Sequence, residues 1–190
     1  CGSVTIFGHD VTTDGLAARA LLSYVPEAPY LYEKLSAREF LRLVGDLYGL
    51  PRAQVDRRIE ELKARFEFGE YLDDLCETFS HGMKQRVVIG AALLHEPRAL
   101  IIDEATVGLD PKSTRTFKDT LRGLARDKGV TVLLSTHVLS IAEELADRVG
   151  ILHRGRLIAV GNLEELRALQ TGRGASGRRD LEDLFLELTG

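Results

Sequence analysis

Two carboxylates, Asp103 and Glu104, directly follow the apolar run Ala99-Leu100-Ile101-Ile102. A short, continuous apolar run is the mark of a buried parallel strand. Open α/β sheets bind ligands beyond the carboxyl ends of such strands. Adjacent carboxylates repel each other and gain nothing from packing, so a cation or a proton-transfer task accounts for them. In phosphoryl transfer the first would hold part of a Mg²⁺ shell and the second would orient an attacking water. The plainer reading is a strand ending in a solvated acidic turn, and the pair alone leaves both open.

A second group is Phe79-Ser80-His81-Gly82-Met83-Lys84-Gln85-Arg86. Ser80 opens a helix there, so its hydroxyl, the first free N–H groups and the helix dipole make an anion site. Gly82 lets a phosphate approach the backbone. An ordinary N-cap is the structural alternative. Ser135-Thr136-His137 closes another apolar run, which brings His137 to the sheet edge that carries Asp103 and Glu104. Asp110 precedes Pro111, whose fixed φ suits a first helical turn, and so reads as an N-cap.

The elements that position these residues follow from periodicity. Residues 4–7 alternate like a strand, with Gly8-His9-Asp10 as the turn that ends it. A second strand spans 21–25 and runs into Pro26. Residues 36–48 read as a helix, with a Ser36/Glu39 capping box and Phe40, Leu43, Val44 and Leu47 at helical spacing. A helix follows Pro51, and a short amphipathic piece covers 70–75, so residues 28–78 read as almost wholly helical. Beyond the helix opened by Ser80, strands at 99–102, 130–134, 149–152 and 156–160 interleave with helices from Pro111 and over 139–146. That alternation predicts a mostly parallel sheet covered on both faces. Residues 171–179 (TGRGASGRR) read as a linker. Its GxGxxG match lacks the preceding strand and the following acidic residue of a dinucleotide site. Leu181, Leu184, Phe185 and Leu188 form the stripe of a terminal helix.

Composition narrows the class. Of 190 residues, 28% are charged and 44% hydrophobic, with 25 basic against 29 acidic residues and a net charge of −4. No basic footprint for a nucleic-acid backbone exists. The longest apolar stretch, 87–94, falls far short of the roughly 18 residues of a membrane span, and no secretory signal is evident. Cys1 and Cys76 form no CxxC pair, which points to a reducing compartment. His9, His95 and His153 have no metal-ligand spacing.

Taken in order, Ser80-x-Gly82, the acidic strand end at Asp103-Glu104, Gly108-Leu109-Asp110 and His137 resemble the nucleotide-binding domain of an ATP-binding cassette (ABC) transporter. The resemblance covers essentially the whole chain. It implies an α/β, P-loop NTPase-like core with helices on both faces and a helical subdomain. It divides the chain into a core remnant (1–27), the helical subdomain with the signature (28–95), the ATPase core (96–170), and a linker with a C-terminal helix (171–190). It implies ATP and Mg²⁺ as cofactors, Asp103 and Glu27 at the metal, and Glu104 and His137 in catalysis. Ser80, Gly82 and Asp110 would lie at nucleotide across a head-to-tail dimer with a second such domain. Glu27 stands where the family has the Q-loop glutamine, and His81 where its commonest signature has glycine. The implied partner is a separate membrane permease, with the chain cytoplasmic and peripheral to the inner face of the membrane. The run Gly82-Met83-Lys84-Gln85-Arg86 and the tail at 181–188 resemble exporter-type ATPases.

No Gly-x4-Gly-Lys-Ser/Thr loop occurs in the 190 residues. That loop supplies the lysine and backbone cradle for the β- and γ-phosphates. Hence the expectation is an N-terminally truncated portion with little activity of its own. Two other classes stay open at this point: a non-catalytic ABC-like interaction module and a soluble ABC ATPase acting on DNA or ribosomes.

Overall fold

The computed structural model describes residues 2–104, 109–168 and 181–189. They fall into two compact units, Cys1–Ser135 and Thr136–Gly190.

The first unit opens with a hairpin of β1 (Thr5–Ile6) and β2 (His9–Asp10), Thr5 opposite Asp10 and Ile6 opposite His9. The chain turns earlier than the sequence suggested. Phe7 and Gly8 carry φ of 47° and 89°, so they form the loop and His9-Asp10 is the return strand rather than the turn. Helix α1 (Gly15–Ala20) follows. It was not foreseen, because six residues are too few to show a helical period.

A parallel sheet in the order β3 (Leu22–Val25), β4 (Ala99–Asp103), β5 (Thr131–Ser135) forms the centre of this unit. Tyr24 lies beside Ile101, Ile101 beside Leu133, and Asp103 beside Ser135. One face buries Ser23, Val25, Leu100 and Ile102. The other is open: Tyr24 is 54% and Leu133 64% exposed. The parallel sheet with packed helices is as expected, and among the described residues of this unit the face that carries Tyr24 and Leu133 is the more exposed one.

Between β3 and β4 lie three helices. The Ser36/Glu39 capping box starts α2 (Ala37–Leu47) as expected. Val55, Ile59, Leu62 and Phe66 form the buried stripe of α3 (Arg52–Phe66). The amphipathic helix expected over 70–75 is absent. The chain makes single 3-10 turns at Gly69–Tyr71 and Cys76–Thr78 instead. Tertiary bonds there outcompete an i→i−4 ladder: Arg38 N–H donates to Leu72 O (2.8 Å), Cys76 N–H donates to Leu35 O (2.9 Å), and the Arg38 guanidinium grips both oxygens of Asp73 (2.6 and 3.0 Å).

Helix α4 (His81–Leu93) is buried on nearly all sides from Gln85 onward. It docks on the sheet through Ser23 Oγ, which donates to Ala92 O (2.5 Å). Beyond it, His95 stacks on Tyr48 at 3.6 Å, and burial pushes its imidazole below the ordinary histidine value. Helix α5 (Pro111–Lys128) buries Phe117, Thr120 and Leu121 and ends on left-handed Gly129 (φ 63°).

The second unit contains α6 (Leu139–Leu145), β6 (Val149–His153), β7 (Arg156–Gly161), α7 (Leu163–Ala168) and α8 (Leu181–Thr189). Here β6 and β7 form an antiparallel hairpin rather than parallel strands. Its core is Ile151, Ala159, Leu166, Leu181 and Leu184. The stretch 171–179 lies outside the described residues. Among the described residues, no helix is long and apolar enough to cross a membrane.

Gly45 tests how tightly α2 and α3 pack. Helix propensity favours alanine over glycine by about 1 kcal/mol. A Cβ there would stand 2.4 Å from Val55 Cγ2, inside a fully buried contact. Overpacking of this kind costs about 1–3 kcal/mol. Gly45→Ala should therefore lower the denaturant midpoint, and a raised midpoint would show that α3 yields freely.

Candidate functional site

The carboxyl edge of the β3-β4-β5 sheet carries the acidic pair. β4 ends on Asp103, whose carboxylate is held from both sides. Ser135 Oγ donates to Oδ1, and the Tyr24 hydroxyl donates to Oδ2 at 3.3 Å. Desolvation, the Asp103 carboxylate and, more weakly, Glu27 push the Tyr24 phenol above its ordinary value, so Tyr24 stays a proton donor in neutral solution. Glu104 continues the ladder by one bond, its N–H donating to Ser135 O (3.2 Å). Its φ of 49° then turns the chain off the strand. A left-handed non-glycine residue costs about 1–3 kcal/mol and persists where surrounding structure over-determines it. Such outliers gather at functional sites.

Glu27 is exposed just beyond Pro26, where β3 leaves the sheet. Its field reaches Tyr24, the phenol that bonds Asp103. Among the described residues no cluster of three or more His, Cys, Asp or Glu is arranged as a metal cage. Hard carboxylate donors in small number suit Mg²⁺, which binds through one or two carboxylates and keeps its other positions for water and phosphate oxygens. The residues present fit that ion.

Ser80 caps α4 in extended geometry, its Oγ accepting from Met83 N–H (3.3 Å). The first intrahelical bond is Lys84 N–H to Ser80 O (3.0 Å). The N–H groups of His81 and Gly82 therefore precede the ladder and point outward from an exposed helix start. The arrangement can bind a phosphate.

Asp110 is also an N-cap, but a fully engaged one. Oδ1 accepts from the N–H groups of Lys112 and Ser113 (both 3.0 Å). Oδ2 accepts from Ser113 Oγ (2.6 Å) and from Arg86 Nη2 of α4 (2.5 Å). These bonds, the Ser113 ones foremost, hold its carboxyl well below the ordinary carboxylate range. His137 belongs to the second unit, where it is exposed shortly before α6. The preceding Gly108 lies outside the described residues.

The first unit thus brings Asp103, Glu104 and Glu27 to one sheet edge, and Arg86 joins Asp110 to the helix that Ser80 and Gly82 begin. Sequence reasoning missed Tyr24, Ser135, Gln85 and Arg86. Nothing in the sequence marked Gln85, because Lys84 and Arg86 flank it and the run reads as a polar helix start; only the fold shows that this amide is enclosed, and buried amides require partners. It is fully buried and donates from Nε2 to Pro26 O (3.4 Å).

Known proteins resemble this chain in sequence and in fold. A family model described as ABC transporter matches residues 1–107. The ABC-type transporter ATP-binding protein EcsA of Bacillus subtilis is 38% identical over 188 residues, 99% of this chain and 74% of EcsA. The linearmycin resistance ATP-binding protein LnrL of the same organism is 38% identical over 165 residues, 87% of this chain. The chain spans about half of LnrL, 53% of its length. A solved ATP-binding subunit of an ABC transporter superposes with a TM-score of 0.89 at 38% identity, covering 99% of this chain and 76% of that one.

The Asp110 network sets a pH dependence. A folded-state carboxyl held below its unfolded value contributes stability that is full above about pH 4 and is lost as pH falls through the folded value. Asp110→Asn should therefore flatten the acid limb of a stability–pH profile between about pH 4 and 2. A limb parallel to wild type would mean that the network does not persist in solution.

Proposed function

The chain belongs to the ABC transporter family of ATP-binding proteins, and we propose that it is the ATP-hydrolysing part of a transporter whose membrane-spanning permease is a separate protein. The observation that carries this reading is the Asp103-Glu104 edge. One carboxylate is fixed by two hydroxyls, and the next is turned off the strand by a strained backbone. Such a division suits a metal-facing group beside a water-facing one.

In this reading Asp103, with Glu27 from the neighbouring strand end, holds Mg²⁺, which supplies charge neutralisation to the β- and γ-phosphates. Glu104 orients a water and takes its proton as the water attacks. His137 contacts the γ-phosphate and steadies that water. Ser80 and Gly82 receive the γ-phosphate held by a second copy, so each site is completed across a head-to-tail dimer. Asp110 keeps the start of α5 in place beside the partner's site. ATP closes the dimer, and hydrolysis reopens it and resets the permease. The cytoplasmic face of the membrane is where such a subunit works. The likeness to a linearmycin resistance ATP-binding protein favours outward transport. Lacking a Gly-x4-Gly-Lys-Ser/Thr stretch, these 190 residues by themselves would hold ATP weakly. That same absence is the one feature favouring a non-catalytic ABC-like module.

Phosphate release by the protein at its natural length separates the two. Glu104→Gln should lower kcat by about 10²–10⁴-fold with KM little changed, as loss of a general base does. An unchanged kcat would remove Glu104 from the chemistry and favour the non-catalytic module.

A further inference from the structure

We propose that Gln85 and Arg86 are positioning residues, which from adjacent places on α4 tie the Glu27 loop and the Asp110 loop to the helix start that carries Ser80 and Gly82. The functional meaning of the tie rests on the reading above; the tie itself does not.

Packing alone does not ask for either residue. From position 85 to the end, α4 is enclosed by α2, α3 and the sheet, and its other buried positions are apolar or glycine. A leucine at 85 would bury more apolar surface, but it would take the donor away from Pro26 O. A buried amide instead brings a desolvation penalty that only a bond can offset. Gln85 is wholly buried, and its Nε2 donates to Pro26 O. Pro26 is the residue at which β3 gives way to Glu27, so this bond fixes the root of the Glu27 loop.

Arg86 points elsewhere, because consecutive helical residues are turned about 100° apart. Its side chain is 23% exposed and its Nη2 meets Asp110 Oδ2 at 2.5 Å. The other oxygen of Asp110 holds the N–H groups of Lys112 and Ser113, so Arg86 reaches the first turn of α5 through one carboxylate. Arg86 also lies against Tyr71, whose phenol burial raises and Arg86 lowers. At about 1.5 Å per residue, both anchors lie within two turns of Ser80. A shift or tilt of the start of α4 must therefore carry both loops with it.

The test is backbone dynamics from ¹⁵N relaxation on the protein at its natural length, using Gln85→Leu, Arg86→Ala, Arg86→Lys and Asp110→Asn. Rigid backbone gives order parameters of about 0.85 and mobile backbone values under about 0.6. Gln85→Leu should loosen Glu27 and Ala28 while Lys112 and Ser113 stay rigid. Arg86→Ala should do the reverse, Asp110→Asn should follow it, and Arg86→Lys should restore part of the order. Unchanged loops in folded variants would overturn the proposal, as would an even loosening through α2 and β4. Should Gln85→Leu fail to fold, the Arg86 and Asp110 variants decide. Where the wild type hydrolyses ATP, Arg86→Ala should lower kcat about tenfold at a temperature where the variant remains fully folded, and an unaltered kcat would overturn the tie's role. A wild type without hydrolysis sinks the proposed function, while the order parameters still decide the tie.

Discussion

The constraint on which the first unit depends is the burial of α4 on almost every side. Val87, Val88, Ile89, Leu93 and Leu94 are all nearly inaccessible. Each such side chain contributes about 1.5–3 kcal/mol when fully buried. One helix therefore outweighs any single polar contact at the site by several-fold. It touches α2, α3 and β3, so the helical segment between residues 28 and 95 and the sheet share one core rather than two. The consequence falls at its N-terminus. A helix packed along its length presents a well-placed start, where Ser80 and His81 are exposed and Gly82 is half-buried.

The same core decides where charge can stand. Asp103, Glu104 and Glu27 would repel one another if nothing compensated. The structure compensates locally, with hydroxyls. Tyr24 and Ser135 donate to Asp103, and the two bonds fix the direction of its carboxylate. Asp110 shows the contrasting choice. Its partner Arg86 is cationic, and its carboxylate is spent on holding helices together. Two acidic residues in one motif-rich stretch thus have contrasting partners, hydroxyls for Asp103 and a guanidinium for Asp110.

Much of this was legible before any coordinates. The capping box at Ser36, the stripe of α3, the strand at 99–102 and the caps at Ser80 and Asp110 are local patterns, and local patterns survive folding when tertiary contacts agree with them. The failures have one physical cause in common. At 70–75 amphipathic spacing was present, but Arg38 and the carbonyls of Leu35 and Leu72 took the bonding groups. At Phe7 a positive φ was accepted by a residue that rarely takes one. The partners of Asp103 and Asp110 were hidden for the same reason: Tyr24 and Arg86 are distant in sequence and meet their acids only through the fold.

Register is the last link between that fold and the site. Side chains alternate along β4, so Leu100 and Ile102 face α4 while Ala99, Ile101 and Asp103 face the open side. A slip of one residue would exchange the two sets. Asp103 would then point into the packed layer, where an unpaired carboxylate costs several kcal/mol, and the two largest aliphatic side chains of the strand's buried face would reach solvent. Both penalties act in the same direction, so the apolar pattern of β4 aims the carboxylate. The pairing of Asp103 with Ser135 then does the rest, because strands aligned this way end together. The hydroxyl of β5, the phenol of β3 and the acid of β4 meet at one edge. The open face that leaves Tyr24 and Leu133 half in water is the face on which Tyr24 can reach Asp103. A fully symmetric burial of the three strands within this unit would have covered the phenol and taken away its reach.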